Sequence, residues 1–199
     1  MKAFFLFLLL ALSLFGATIN GSLLKIHATL VPKIYLMDYK FKDKLVDNTI
    51  TIAIMYKKND YQSAKELQTL MKDRYKKGIK SYKVNPILVS YADVDETQAN
   101  IYYLFPSDKE QIQKVVKKAS LNDALTFSYQ REDLRYGVMI SLSIAKKVKP
   151  LLNLEAIKLH EISLRPILID ISAIFVNDLG STLKELNIRG LLNNKSYWA

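Results

Sequence analysis

The chain of 199 residues is 50% hydrophobic, carries a formal charge of +10 and contains no cysteine. The lack of thiols excludes disulfides and thiolate metal sites, and a chain of this size buries roughly 70% of its unfolded surface without such staples. No nucleic-acid recognition motif with interleaved aromatics occurs, so no nucleic-acid partner is expected and the positive charge points to anionic lipid headgroups or an acidic protein surface.

Lys2 precedes an apolar run from Ala3 to Phe15, and Gly16-Ala17 supplies small residues. This is the pattern of a signal peptide over residues 1–17, cleaved after Ala17. Thr18 to Ser22 interrupts the run before the about 20 residues needed to span a bilayer. An uncleaved anchor is the alternative, and either way the folded part lies outside the cytoplasm. Residues 18–199 hold no linker, repeat or low-complexity tract and read as one domain.

Leu23 to Tyr35 reads as a helix. Ile34, Tyr35, Met37 and Tyr39 lie in a densely apolar stretch around Pro32. A packed domain buries most of such a stripe. Any part left exposed would serve dimerisation or docking on a membrane protein.

Thr49–Tyr56 is rich in β-branched residues and reads as the first strand. Asn59 or Asp60 caps a helix from Tyr61 to about Tyr75, with Ala64, Leu67, Leu70 and Met71 on one stripe. The basic residues between Lys65 and Lys83 are either the solvated face of that helix and its loop or an electrostatic docking surface. Pro86–Ala92 and Ile101–Phe105 read as strands. Ser107 and Glu110 have capping-box spacing for a helix burying Ile112, Val115 and Val116. Ala124–Tyr129 is a fourth strand.

From Gly137, Val138, Ile140, Leu142 and Ile144 alternate with Met139, Ser141 and Ser143, the period of a half-buried strand. Lys146-Lys147 turns the chain and Val148–Leu152 returns. Asn153 is placed to cap a helix. Ser163 is placed to cap another, with Pro166 in its first turn. A last helix starts at Thr182 and ends before Gly190.

Strands alternating with helices, most of them near-continuous apolar runs, imply an α/β fold. The expected form is a single-domain, mostly parallel sheet with helices on both faces and a C-terminal antiparallel edge hairpin. In such sheets ligands sit beyond the carboxyl ends of the strands. Those ends carry Tyr56, Lys57, Asn59, Tyr91, Ser107, Tyr129 and Arg131. Tyrosine rings beside cations suit a small organic ligand or a peptide, or the tyrosines simply finish strands.

The sequence offers no catalytic constellation. His27 and His160 lack a second histidine at ligand spacing, so both read as surface or cap residues and no metal is expected. No Gly-x-Ser-x-Gly elbow occurs. Asp93-Val94-Asp95-Glu96 and Glu132-Asp133 read as solvated loop carboxylates. Tyr56 to Asp60 occupies the place of a phosphate loop without a glycine, so no nucleotide cofactor is expected.

The order Gly137, apolar strand, basic turn, short strand ending at Leu152-Asn153, helix, Ile162-Ser163 and apolar helix resembles the C-terminal half of the YfiR/HmsC-like periplasmic proteins. Leu23–Tyr39, Thr49–Met55 and Ala124–Tyr129 extend the resemblance upstream. The chain departs from the family pattern at Leu36-Met37-Asp38, where relatives carry Trp-Pro, and at Tyr136, where they carry a glycine. The resemblance implies a periplasmic, non-enzymatic regulator that binds an inner-membrane diguanylate cyclase and holds it inactive. A periplasmic small-molecule-binding protein serving a transporter or sensor is the alternative.

Overall fold

The structure, a computed structural model, describes residues 19–144, 147–160 and 162–176. The expected signal segment and the expected helix from Thr182 lie outside the described residues.

Helix α1 (Gly21–Tyr35) opens with Asn20, whose side chain accepts from the N–H groups of Ser22 and Leu23. Strand β1 (Thr49–Tyr56) has the expected bounds. Helix α2 (Tyr61–Arg74) leads to β2 (Lys83–Ser90), which starts and ends earlier than the apolar run alone implies because it pairs with β1 over its full length. The short link to β3 (Ile101–Leu104) is a 3-10 segment, Tyr91–Glu96. Helix α3 (Lys109–Leu121) and β4 (Leu125–Ser128) follow. A further 3-10 segment, Arg131–Tyr136, ends at Gly137 with φ +95. A Cβ there would be strained in the left-handed region and would lie 3.2 Å from Val116 Cγ1.

The hairpin is formed by β5 (Ile140–Ile144) and β6 (Val148–Leu152), then come α4 (Leu154–Leu159), α5 (Pro166–Ile171) and a two-residue β7 (Ala173–Ile174). The sheet order is β2-β1-β3-β4-β5-β6-β7. Strands β1 to β5 are parallel, β6 runs antiparallel to β5, and β7 adds parallel to β6 on the outside. The fold is thus the expected mostly parallel α/β sheet, with its antiparallel hairpin near one edge.

Both faces of the sheet are covered, which explains the near-continuous apolar strands. Ile50, Ile52, Ile54, Tyr103 and Phe127 pack on the side of α1, α2, α4 and α5. Ala53, Met55, Tyr102 and Leu104 pack on the side of α3 and the two longer 3-10 segments.

Two expected caps shift. Asp108, not Ser107, caps α3 by accepting from the Gln111 N–H at 3.0 Å. A carboxylate suits the positive end of a helix better than a hydroxyl, and Lys57 holds this one in place. Ser163 does not cap α5, because Arg165 occupies the cap position ahead of Pro166. The Ser163 carbonyl instead accepts from the Tyr39 N–H. Asn153 caps α4 as expected, accepting from the Ala156 N–H at 3.1 Å, while its amide donates to the Leu134 carbonyl at 2.8 Å.

Candidate functional site

The parallel strands β1 to β4 end along one edge of the sheet, in the order β2, β1, β3, β4, with neighbours about 5 Å apart. This edge gathers the residues expected at the strand ends, but it presents them unequally. Tyr56 is half-buried, with its ring 5.5 Å from that of Tyr61. Lys57 is exposed and pairs with Asp108 at 2.8 Å. That hydrogen bond is the main reason the Asp108 carboxyl is held below its usual range. Asn59 is exposed in the turn that follows.

Tyr91 is 3% exposed, and its hydroxyl donates to the Phe105 carbonyl at 2.5 Å. It braces the edge from inside and shows little surface to a ligand. Ser107 is half-buried, and its hydroxyl has no hydrogen-bond partner among the described residues. Tyr129 stacks on Phe105 at 6.0 Å, and its hydroxyl accepts from the Asn20 N–H at 2.9 Å. Arg131 is exposed and lies 3.9 Å from Glu132.

The segment after α1 also divides. Ile34 and Tyr35 are core residues, because α1 turns that stripe onto the sheet. Met37 is half-buried. Tyr39 is 49% exposed, with the Arg165 guanidinium 4.8 Å above its ring. Asp38, one of the departures from the family pattern, is buried and accepts from Lys44 Nζ at 2.7 Å. The pair holds the segment to the turn that follows it, and the Asp38–Leu164 bridge ties it to the loop before α5.

Two buried ionisable groups escape the sequence reading. His27 is fully buried rather than at the surface or a cap. Its Nδ1 lies 2.7 Å from the Tyr103 hydroxyl, and its ring packs against those of Phe127 and Tyr129, each at 5.5 Å. Nε2 has no hydrogen-bond partner among the described residues, and burial lowers the pKa to about 4. The signal was available in the helical period, since His27 shares the stripe of Leu24, Ala28 and Val31.

Asp133 is likewise buried rather than solvated. Ser128 donates to its Oδ2 at 2.5 Å. Burial raises its pKa to about 6, opposed by the Ser128 hydrogen bond. No spacing rule marks this residue, because its burial depends on the 3-10 segment folding back over the end of β4.

The Ser128–Asp133 pair faces the α3 side of the sheet and His27 the other, so the described residues join them into no serine–base–carboxylate relay. Among the described residues no group of three or more histidines and carboxylates gathers as a metal site. No helix there is long and apolar enough to cross a membrane. An open groove of about 340 Å³ lies on α1, lined by Lys25, Ile26, Thr29 and Leu30.

No curated protein matches the chain significantly. Among solved structures it is similar to a conserved domain protein from Vibrio cholerae, with 13% identity and a TM-score of 0.55, covering 76% of this chain and 59% of that one. The chain thus spans about three-fifths of that protein's length, and the likeness shows the fold. A domain in complex with L-Trp from Streptococcus pneumonia aligns at 11% identity and a TM-score of 0.47 over 72% of this chain and 60% of its own. An open, ligand-free substrate binding protein with adhesive properties from Clostridium difficile aligns at 12% identity and a TM-score of 0.48 over 63% and 54%. The sequence matches the family described as YfiR/HmsC-like over residues 42–173, more than half of the chain, and the protein belongs to that family.

Proposed function

We propose that this protein is a periplasmic, non-enzymatic regulator that binds the periplasmic part of an inner-membrane diguanylate cyclase and holds it inactive. Family membership over residues 42–173 carries this reading. The Ser128–Asp133 pair serves architecture in it: the hydroxyl that meets Asp133 also accepts the Gln130 N–H, fixing the segment that leads from β4 to β5. Repression requires only that the protein bind the inactive state of its partner more tightly than the active one, since the ratio of the two affinities sets the shift.

Of the residues expected to meet a partner, Tyr39 presents the most exposed apolar surface, and Arg165 beside it adds a cation. We assign the contact to that corner, with Met37 behind it. Affinity purification of the tagged protein from solubilised membranes tests the proposal. A co-eluting membrane protein with a diguanylate cyclase domain supports it. Recovery without such a protein, from cells that contain one, counts against it.

A further inference from the structure

The hairpin does not stop where the sheet stops. Strand β5 meets β4 through Ile140 opposite Phe127, and the Ser141 hydroxyl donates to the Ser128 carbonyl at the last residue of β4. Residues 142–144 therefore run on past β4, by about 10 Å at the rise of a strand. They carry the hairpin beyond the edge where the parallel strands end. At its tip Ile144 and Val148 face each other across the two strands, 60% and 36% exposed. Lys147 and Lys149 flank Val148; both are exposed, and neither forms an ion pair among the described residues. A protruding apolar pair set among lysines that form no ion pair with the described residues is costly in water but matched to a surface that is apolar beneath and anionic on top.

The start of α1 shares this edge. The Asn20 N–H donates to the Tyr129 hydroxyl, and Tyr129 immediately follows β4. Asn20, which opens α1, thus lies at the same edge from which the hairpin projects.

We propose that the β5–β6 hairpin tip is a membrane-docking element. Ile144 and Val148 enter the headgroup boundary of an anionic phospholipid bilayer, while Lys147 and Lys149 meet the lipid phosphates. The proposal stands apart from the cyclase reading and survives if that reading fails. Each lysine near an anionic surface strengthens partitioning about fivefold, so the element is weak alone. It holds one edge of the sheet toward the bilayer.

The absence of native cysteine makes the test direct. The full chain, as the cell processes it, is prepared with Val148→Cys or with Leu121→Cys, each labelled with an environment-sensitive fluorophore. Leu121 is 77% exposed and ends α3, at the opposite edge of the sheet. With protein-free vesicles of phosphatidylglycerol and phosphatidylcholine, the label at 148 should shift to the blue and the label at 121 should not. The shift should vanish on pure phosphatidylcholine and fade in 0.5 M salt, where the screening length falls to about 4 Å. Lys147→Glu with Lys149→Glu in the Val148→Cys background should weaken partitioning roughly 25-fold or more. Overturning results are no shift at 148, equal shifts at 148 and 121, a shift indifferent to lipid charge, or a shift seen only with vesicles that contain membrane proteins. The last would assign the tip to a protein partner.

Discussion

The Tyr103 hydroxyl lies 2.7 Å from Nδ1 of His27, joining the middle of the sheet to the inner face of α1 through a single buried polar contact. The rings of Phe127 and Tyr129 close around it. Tyr103→Phe leaves a buried imidazole nitrogen without a partner and should cost about 1–3 kcal/mol. His27→Leu combined with Tyr103→Phe removes both groups, and the double variant should lose less than the sum of the single losses. Urea unfolding of the four proteins reads this, and strict additivity would contradict the coupling.

Acid titration should reveal two opposed contributions. His27 has its folded pKa lowered from 6.5 to about 4, so acid favours the unfolded state as pH falls from 6.5 to 4. The loss amounts to roughly 3 kcal/mol. Asp133 has its folded pKa raised from 3.8 to about 6, so the folded state takes its proton first and gains relative stability as pH falls from 6 to 3.8. That gain is also roughly 3 kcal/mol. In the wild type the two nearly cancel. Asp133→Asn removes the gain, so its stability should decline relative to that of the wild type progressively between pH 6 and 4. Parallel stability curves across that range would show that Asp133 titrates normally.

Asn153 does two jobs, capping α4 and bonding the Leu134 carbonyl. Asn153→Ala should cost about 2–3 kcal/mol by chemical denaturation, the sum of a lost cap and an orphaned buried carbonyl. Asn153→Asp keeps the cap but loses the amide donor, and should fall between Asn153→Ala and the wild type.

Gly137→Ala should destabilise the fold by about 1–2 kcal/mol, since its φ of +95 suits glycine and the added methyl meets Val116. Gly137→Ala combined with Val116→Ala relieves the contact but not the backbone strain, so rescue should be partial. Complete rescue would place the whole effect in the contact.

The elements legible in the sequence were those decided locally. The β-branched run Thr49–Tyr56 and the return strand Val148–Leu152 keep their expected bounds, and Asn153 caps where its spacing places it. Asp108 displaced Ser107 as a cap because Lys57, distant in sequence, holds the carboxylate there. The order of β2 outside β1 depends on long-range pairing that no local period encodes. The strand-end residues do share one edge, as parallel topology requires, but the burial of Tyr91 follows from the Tyr91–Glu96 segment folding over it. Exposure of Tyr39 rather than Tyr35 follows from the turn after α1, which the Asp38–Lys44 pair fixes.

The regulatory reading is tested most directly by intracellular cyclic di-GMP in a strain that expresses the protein, before and after deletion of its gene. Deletion should raise cyclic di-GMP and surface attachment. The wild-type gene should restore both, and a Tyr39→Glu variant that still folds and is exported should restore them poorly. Unchanged cyclic di-GMP on deletion, in cells where the protein is demonstrably present, would contradict the account.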